Sequence, residues 1–557
     1  MPNVNGAQAM FQQLVMEGVT DIFSLPGAQI MAAFDVLHDM QDQLNLIHTR
    51  HEQATTYMAD GYAKVSGKPG VAMVVPGPGA LNATAGLGTA YASSNPVLLI
   101  SGQIPSTLLG KDTGQLHEVS EQLDVFEPIT KWNHRISDIS EVSSSVHEAF
   151  RQMTTGKPGP VELEIAPDIL TQSGSVDLIE KELYPSPKPT REQILAAVEL
   201  ISSANSPTIV AGGGTVSSGA SEQIRRFADM LQIPVMTSPQ AKGIIPEESH
   251  LATGVNSAVG PAATVLPDTD LVIAIGTRLS LRGISQDDMP PILQIDIEPD
   301  QVGKQYNVEL GLVGDASETL RSLINALSVD ESILVHRKER AIRLKKQFTD
   351  QVKRLASPQV SVIDRISNTL PEDAIVVQGM TNIGYWSSAA MPMHTPRNYV
   401  TSSYFGTLGY AYPTALGCQT AYPDRKVIAL CGDGGFMYSP QELSTAMRYG
   451  LNTVAVVFNN GAYGASRWDQ QHQFNGRYIG TDLFNPDFVA MAKSFGAEGI
   501  KTDADNIEAG LKAAIALEKP TLLEVEIQNM MPPFQLSLIH ISEPTRRYAS
   551  SYGRVWL

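Results

Sequence analysis

The sequence predicts an α/β protein built from three doubly wound, parallel-sheet domains. Three observations predict it. The chain has 557 residues, enough for about three domains at ~150 residues each. Short apolar runs of strand length alternate with amphipathic helical patterns in three successive stretches, as expected where crossover helices cover both faces of a parallel sheet. The stretches are separated by a polar, Pro-rich segment and by a charged helical one, both of which read as boundaries.

The first domain is read as residues 1–170. Its "GVAMVVPGPGALNATAGLGTAY" and "PVLLISGQ" hold two buried strands with a helix between them, and "GPVELEIAP" closes it. The segment "GSVDLIEKELYPSPKPT" places a linker at 171–190. The central domain, 191–330, takes its strands from "PTIVAGGG", "IPVMTS", "DLVIAIG" and "ILQIDIEPD". A charged linker helix, "ESILVHRKERAIRLKKQFTDQVKRL", falls in 331–357. The last domain, 358–535, has strands in "DAIVVQG", "VIALCGDGG", "TVAVVFNN" and "TLLEVEI". Residues 536–557 are basic and unpatterned in an otherwise acidic chain. They resemble translated adapter read-through and are read as a non-native tail.

Composition narrows the function. Formal net charge is −18, which argues against nucleic acid or an anionic membrane surface as the main partner. The chain has two cysteines, Cys418 and Cys431, too few for a disulfide framework and consistent with a reducing cytosol. No apolar run reaches the ~20 residues needed to span a bilayer, and no secretory leader is read at the start. A cytoplasmic protein without membrane attachment is expected.

The chemistry concentrates in two turns. Gly432, Asp433, Gly434 and Gly435 follow the strand "VIAL" and precede a helix. Backbone N–H groups in such a turn favour a phosphate. Asp433 adds a hard carboxylate oxygen, which suits Mg²⁺. Asn460 follows the next strand, 27 residues after Asp433, a gap that one helix and one strand fill, so the two strand ends can be neighbours. Asn460 offers an amide oxygen and Ala462 a backbone carbonyl. Two phosphate oxygens and a water would complete an octahedral set. Taken alone, the Gly432–Gly435 turn is also explained by an Asp helix cap.

This pair of turns resembles the diphosphate–Mg²⁺ motif of thiamine diphosphate (ThDP)-dependent enzymes. The resemblance implies a carboxylate at N1′ of the aminopyrimidine. Glu52, in "HTRHEQATTYMADGYAKVSGKPGV", stands at the matching position. It implies proton exchange between Glu52 and N1′, which lets the 4′-nitrogen take the C2 proton of the thiazolium. In "SSYFGTLGYAYPTALG", Leu408 matches the apolar wedge that bends the cofactor, and Gly406 the carbonyl that meets its 4′-amino group.

Over residues 1 to about 535 the chain is most similar to the acetolactate synthase large subunit. "TDIFSLPGAQIMAAFDVL", "PVLLISGQIP" and "IDIEPDQVG" carry that similarity. It implies pyrimidine-binding, central and diphosphate-binding domains, and a carboligase that decarboxylates one 2-keto acid and transfers what remains to a second carbonyl. Its setting would be branched-chain amino acid biosynthesis. It further implies active sites shared between two chains. A homodimer is then the minimum, and a tetramer or a small regulatory subunit is compatible with it.

Several positions depart from that family's pattern. Gly379-Met380-Thr381 stands where a Gly-Gln-His is usual, with Asn382 following. Leu116-His117 replaces a Phe-Gln, which would let His117 face the reacting carbon. Trp468 sits one residue early for a substrate-selecting tryptophan. "AGGGT" and "GTRLS" resemble flavin-adenine segments, but Leu279-Ser280 replaces a pair of aspartates and "LATGVNSAVG" replaces another flavin segment. These departures count against FAD. Two other readings stay open: a simple 2-keto acid decarboxylase, and a non-catalytic ThDP-binding regulator.

Overall fold

A computed structural model describes residues 3–257 and 259–535. The basic segment 536–557 lies outside the described residues. Three six-stranded sheets, each parallel throughout, organise the chain. Their strands lie within residues 21–165, 207–313 and 375–526. Numbered within each sheet, the first and third share the order 2-1-3-4-6-5, whereas the central sheet runs 3-2-1-4-5-6. Each order reverses direction beside strand 1, and the first and third reverse again where strand 6 inserts between strands 4 and 5. At the switch point beside strand 1 the loops diverge and leave a crevice at the strands' carboxyl ends.

The strands form where the sequence offers short runs of buried apolar residues. Gly70–Val74, Val97–Gly102 and Val427–Gly432 are enclosed on both faces by helices, so they show no polar–apolar alternation. A further pair of short strands, Asn3–Asn5 and Ser173–Ser175, joins antiparallel, so the start of the region read as a linker pairs with the start of the first domain.

The first and third domains share one apolar core. The helix Glu52–Ser66 crosses the helix Ala411–Ala421 there. The crossing is close because glycine stands at both contact points. A Cβ on Gly61 would lie 2.2 Å from the Thr414 carbonyl oxygen, and one on Gly417 would lie 2.0 Å from that of Met58. Polar bonds add to this packing. The Tyr57 hydroxyl meets the Thr407 hydroxyl at 2.8 Å. Lys64, paired with buried Asp60, donates to the Thr401 carbonyl at 2.8 Å. Arg397 ties all three domains, donating to the carbonyls of Lys64 (2.8 Å) and Val216 (3.1 Å).

Candidate active site

The diphosphate-side turn is set by strand register. Val427–Gly432 and Val454–Asn459 are parallel neighbours, with Gly432 opposite Phe458, so Asp433 and Asn460 leave the sheet side by side. Asp433 is only 2% exposed. Its Oδ1 accepts from the Gly434 N–H (3.0 Å), and its Oδ2 from the Gly461 N–H (2.9 Å) and Asn485 Nδ2 (2.7 Å). Burial raises the Asp433 pKa, against those hydrogen bonds. A cation at the carboxylate would offset the same burial cost.

The second turn is pinned from outside. The Tyr463 N–H donates to the Thr481 carbonyl (2.9 Å), and the Leu483 N–H to that of Gly461 (2.8 Å). Among the described residues no donor takes the Ala462 carbonyl. Asn460 Oδ1 accepts from the Ala462 N–H at 3.3 Å, while its Nδ2 lies 3.4 Å from Asn529 Oδ1. Gly464 permits this approach, since a Cβ there would sit 2.5 Å from Asn529 Oδ1 and 2.7 Å from Asn460 Nδ2. The carboxylate, amide and carbonyl oxygens form an all-oxygen donor set, which fits Mg²⁺.

Thr381 and Asn382 arrive at the switch point of the same sheet, after Ile375–Gln378, the parallel neighbour of Val427–Gly432. A Cβ on Gly432 would lie 3.2 Å from that of Thr381. Asn382 donates through Nδ2 to the Met530 carbonyl, and its Oδ1 is buried with no partner among the described residues. Gly406 adopts φ +63°, and a Cβ on it would come 3.9 Å from Met380 Sδ. Leu408 is half-buried and lies outside the apolar core clusters. Its Cδ2 would be 3.6 Å from a Cβ on Gly435. The loop 406–408 therefore borders the Gly432–Gly435 turn, and the small cradle there fits a diphosphate.

Glu52 opens the helix Glu52–Ser66. Its carboxylate meets the first turn of another helix, Pro78–Ser93. Asn82 Nδ2 donates to Oε2 at 3.0 Å, and a Cβ on Gly79 would lie 3.6 Å from Oε1. His117 abuts the same turn from its backbone, since a Cβ on Gly77 would be 2.5 Å from its carbonyl oxygen. Its Nδ1 is 3.1 Å from Gln29 Oε1, and its φ is +68°. Trp468 stacks on His472 with ring centroids 4.2 Å apart.

Beside these elements runs a cavity of about 1090 Å³, lined among others by Gly213, Arg278, Asp296, Met380 and Gly406. Burial pushes the Asp296 carboxyl up to about 6. Leu279 and Leu281 belong to the apolar cluster of this domain, where the flavin-binding pattern would place acids at and beside Leu279.

Sequence reasoning missed Asn485, Asn529 and Asn82. Asn485 and Asn529 are single amides with no fixed spacing to a motif, whereas Asn82 ends the "GPGALN" stretch. The Asn-Pro turn at 485–486 is a local signal for Asn485.

Comparisons with known proteins identify the three domains. Residues 4–126 match the N-terminal TPP binding domain of thiamine pyrophosphate enzymes, 194–323 their central domain, and 379–525 their C-terminal TPP binding domain. A probable acetolactate synthase large subunit of Methanocaldococcus jannaschii is 35% identical, over 98% of this chain and 96% of that protein. A probable 2-ketoarginine decarboxylase of Pseudomonas aeruginosa is 31% identical, over 94% of each. A putative thiamine pyrophosphate-containing protein of Bacillus subtilis is 30% identical, over 96% of this chain and 93% of that one. With three matching domains in family order and relatives along nearly its whole length, the chain belongs to the thiamine pyrophosphate enzymes.

Proposed function

We propose that this chain is a Mg²⁺-dependent ThDP enzyme acting on 2-keto acids, with acetolactate synthase-like carboligation as its reaction. The observation that carries the reading is the buried Asp433 carboxylate, held beside Asn460 at two adjacent strand ends. Asp433, Asn460 and the Ala462 carbonyl would hold the metal. Gly432, Gly434, Gly435, Thr381 and Asn382 would surround the diphosphate. Bound ThDP supplies the nucleophilic carbon and the electron sink for decarboxylation. Glu52 holds and moves a proton at N1′ of the pyrimidine, and Asn82 keeps its carboxylate oriented. Leu408 would pack against the bound cofactor, and the Gly406 carbonyl would accept a hydrogen bond from it.

Completion of the site by a second copy of the chain is part of the reading. Tyr404, Phe405, Met437 and Tyr438 flank Gly406 and Gly435, yet are 65%, 43%, 39% and 49% exposed. Such side chains beside a site that must exclude water call for a covering surface. A reducing, cytoplasmic setting accords with two free, buried cysteines. FAD is not assigned to the central cavity, because Leu279 and Leu281 are packed in its apolar cluster.

The second reading, simple decarboxylation, draws support from His117 beside the Gly77–Gly79 turn and from the resemblance to a 2-ketoarginine decarboxylase. A panel of 2-keto acids with product analysis separates the two. Acetolactate or another ligated product supports the first reading, and aldehyde alone supports the second.

A further inference from the structure

We propose that Gln122 is a positioning residue for Glu52, acting by fixing the first turn of the helix Pro78–Ser93. The proposal rests on the reading that Glu52 activates ThDP.

That helix begins at Gly77, whose φ of 57° and ψ of −114° suit glycine and whose missing side chain leaves the helix without a side-chain cap. The Gly77 N–H is turned into the domain, where a buried donor without an acceptor costs ~1–3 kcal/mol. Gln122 Oε1 is that acceptor, at 2.8 Å. Gln122 is 1% exposed, and its orientation is fixed from its other end. Its Nε2 faces Ser101 Oγ (3.0 Å), the Gly102 carbonyl (3.1 Å) and Glu164 Oε2 (3.1 Å). With three acceptors around the amide nitrogen, only the amide oxygen can face Gly77.

This anchor is itself rigid. Ser101 and Glu164 are register partners on adjacent strands. Glu164 is buried and paired with Arg135. Ser101 donates to Glu162, a fully buried side chain whose carboxyl is pushed well above the usual range by burial. From the fixed turn, Asn82 and Gly79 then meet the two oxygens of Glu52. Gln122 touches neither Glu52 nor any reacting atom, so its effect must pass through that turn.

The test is a double-mutant cycle on the full chain. Four proteins are compared: wild type, E52Q, Q122M and the double variant. The readouts are C2-proton exchange of bound ThDP, ThDP affinity, and hydrogen exchange of the Gly77 amide without cofactor. Expected for Q122M are faster Gly77 exchange, ThDP affinity within about threefold of wild type, and C2 exchange slowed by about tenfold, against the ~10²–10⁴-fold typical of losing an acid–base group outright. On the E52Q background, Q122M should then add less than about twofold, because interacting residues are non-additive. Equal slowing on both backgrounds, or an unchanged Gly77 amide, would overturn the positioning role alone. Normal C2 exchange in E52Q would overturn the activation reading itself, and the proposal with it. If Q122M does not fold, Q122N runs the same cycle, since its side chain is one methylene too short to reach both Gly77 and the strand ends.

Discussion

Replacing Glu442 with glutamine should make the protein's stability less sensitive to alkali. Glu442 lies in the short turn Pro440–Glu442 beyond the Gly432–Gly435 segment and is fully buried. Its two oxygens accept from the Arg50 N–H at 3.1 and 3.2 Å, and Oε2 also accepts from the Thr445 hydroxyl at 2.6 Å. It therefore clamps the loop that leads into Glu52. Burial is the largest influence on it and pushes its pKa up from 4.5 to about 7, against those hydrogen bonds. A carboxyl whose folded value is raised favours the fold when protonated. That contribution is full below about pH 4.5 and is lost as pH rises through about 7. At ~1.36 kcal/mol per pH unit between the two values, ionising Glu442 in the fold costs about 3 kcal/mol, of which about 2.5 falls between pH 5 and pH 8. Glutamine keeps the shape and an acceptor for Arg50 and does not titrate. Between pH 5 and pH 8 the Tm of wild type should fall by several degrees more than that of E442Q. Parallel Tm curves across this range would refute the argument.

Asp433→Ala should abolish Mg²⁺-dependent ThDP binding, because it removes a proposed metal ligand and leaves Asn485 and the Gly461 N–H with Asn459 Oδ1 alone as acceptor. Titration of ThDP with and without Mg²⁺ checks this, and an unchanged Mg²⁺ dependence would count against the site. Gly417→Ala should lower Tm by several degrees, since its Cβ would lie 2.0 Å from the Met58 carbonyl oxygen and overpacking typically costs ~1–3 kcal/mol. His117→Gln should raise the ratio of ligated product to aldehyde from pyruvate, measured by product analysis. An unchanged ratio would remove His117 from the partition.

The parts of the fold legible in the sequence are those whose cause is local. "VIALCGDGG" and "TVAVVFNN" declare buried strands ending in turns, and their adjacency follows from the length of one crossover. What the sequence hid depends on distant partners. The Tyr57–Thr407 bond joins residues 350 apart, and no periodicity announces it. Glu162 and Glu164 share one face of a five-residue strand, Val161–Ile165. On a half-exposed strand that pattern would mark the solvent side. Here the strand is buried throughout, and Gln122, Ser101 and Arg135 meet the two acids instead. The Gln122–Gly77 link was illegible for the same reason.

The departures from the acetolactate synthase pattern fall in two places of different consequence. Thr381 lies against Gly432, so the change at 379–381 bears on how the diphosphate is held. The change at 116–117 lies on the other side, against the turn that faces Glu52. Leu116 is 64% exposed, and its carbonyl accepts from Gln29 Nε2 at 2.8 Å. His117 is held with a left-handed backbone beside it, so the side chain presented is imposed by the loop. An amide at that position can orient a second carbonyl compound but has no proton to exchange. An imidazole can carry a proton and deliver it to a carbon within reach. A proton delivered by His117 would favour aldehyde release, and an amide there would favour ligation to a second carbonyl compound. The machinery proposed to activate the cofactor is thus compatible with both readings, and the choice between them turns on whether His117 reaches the reacting carbon.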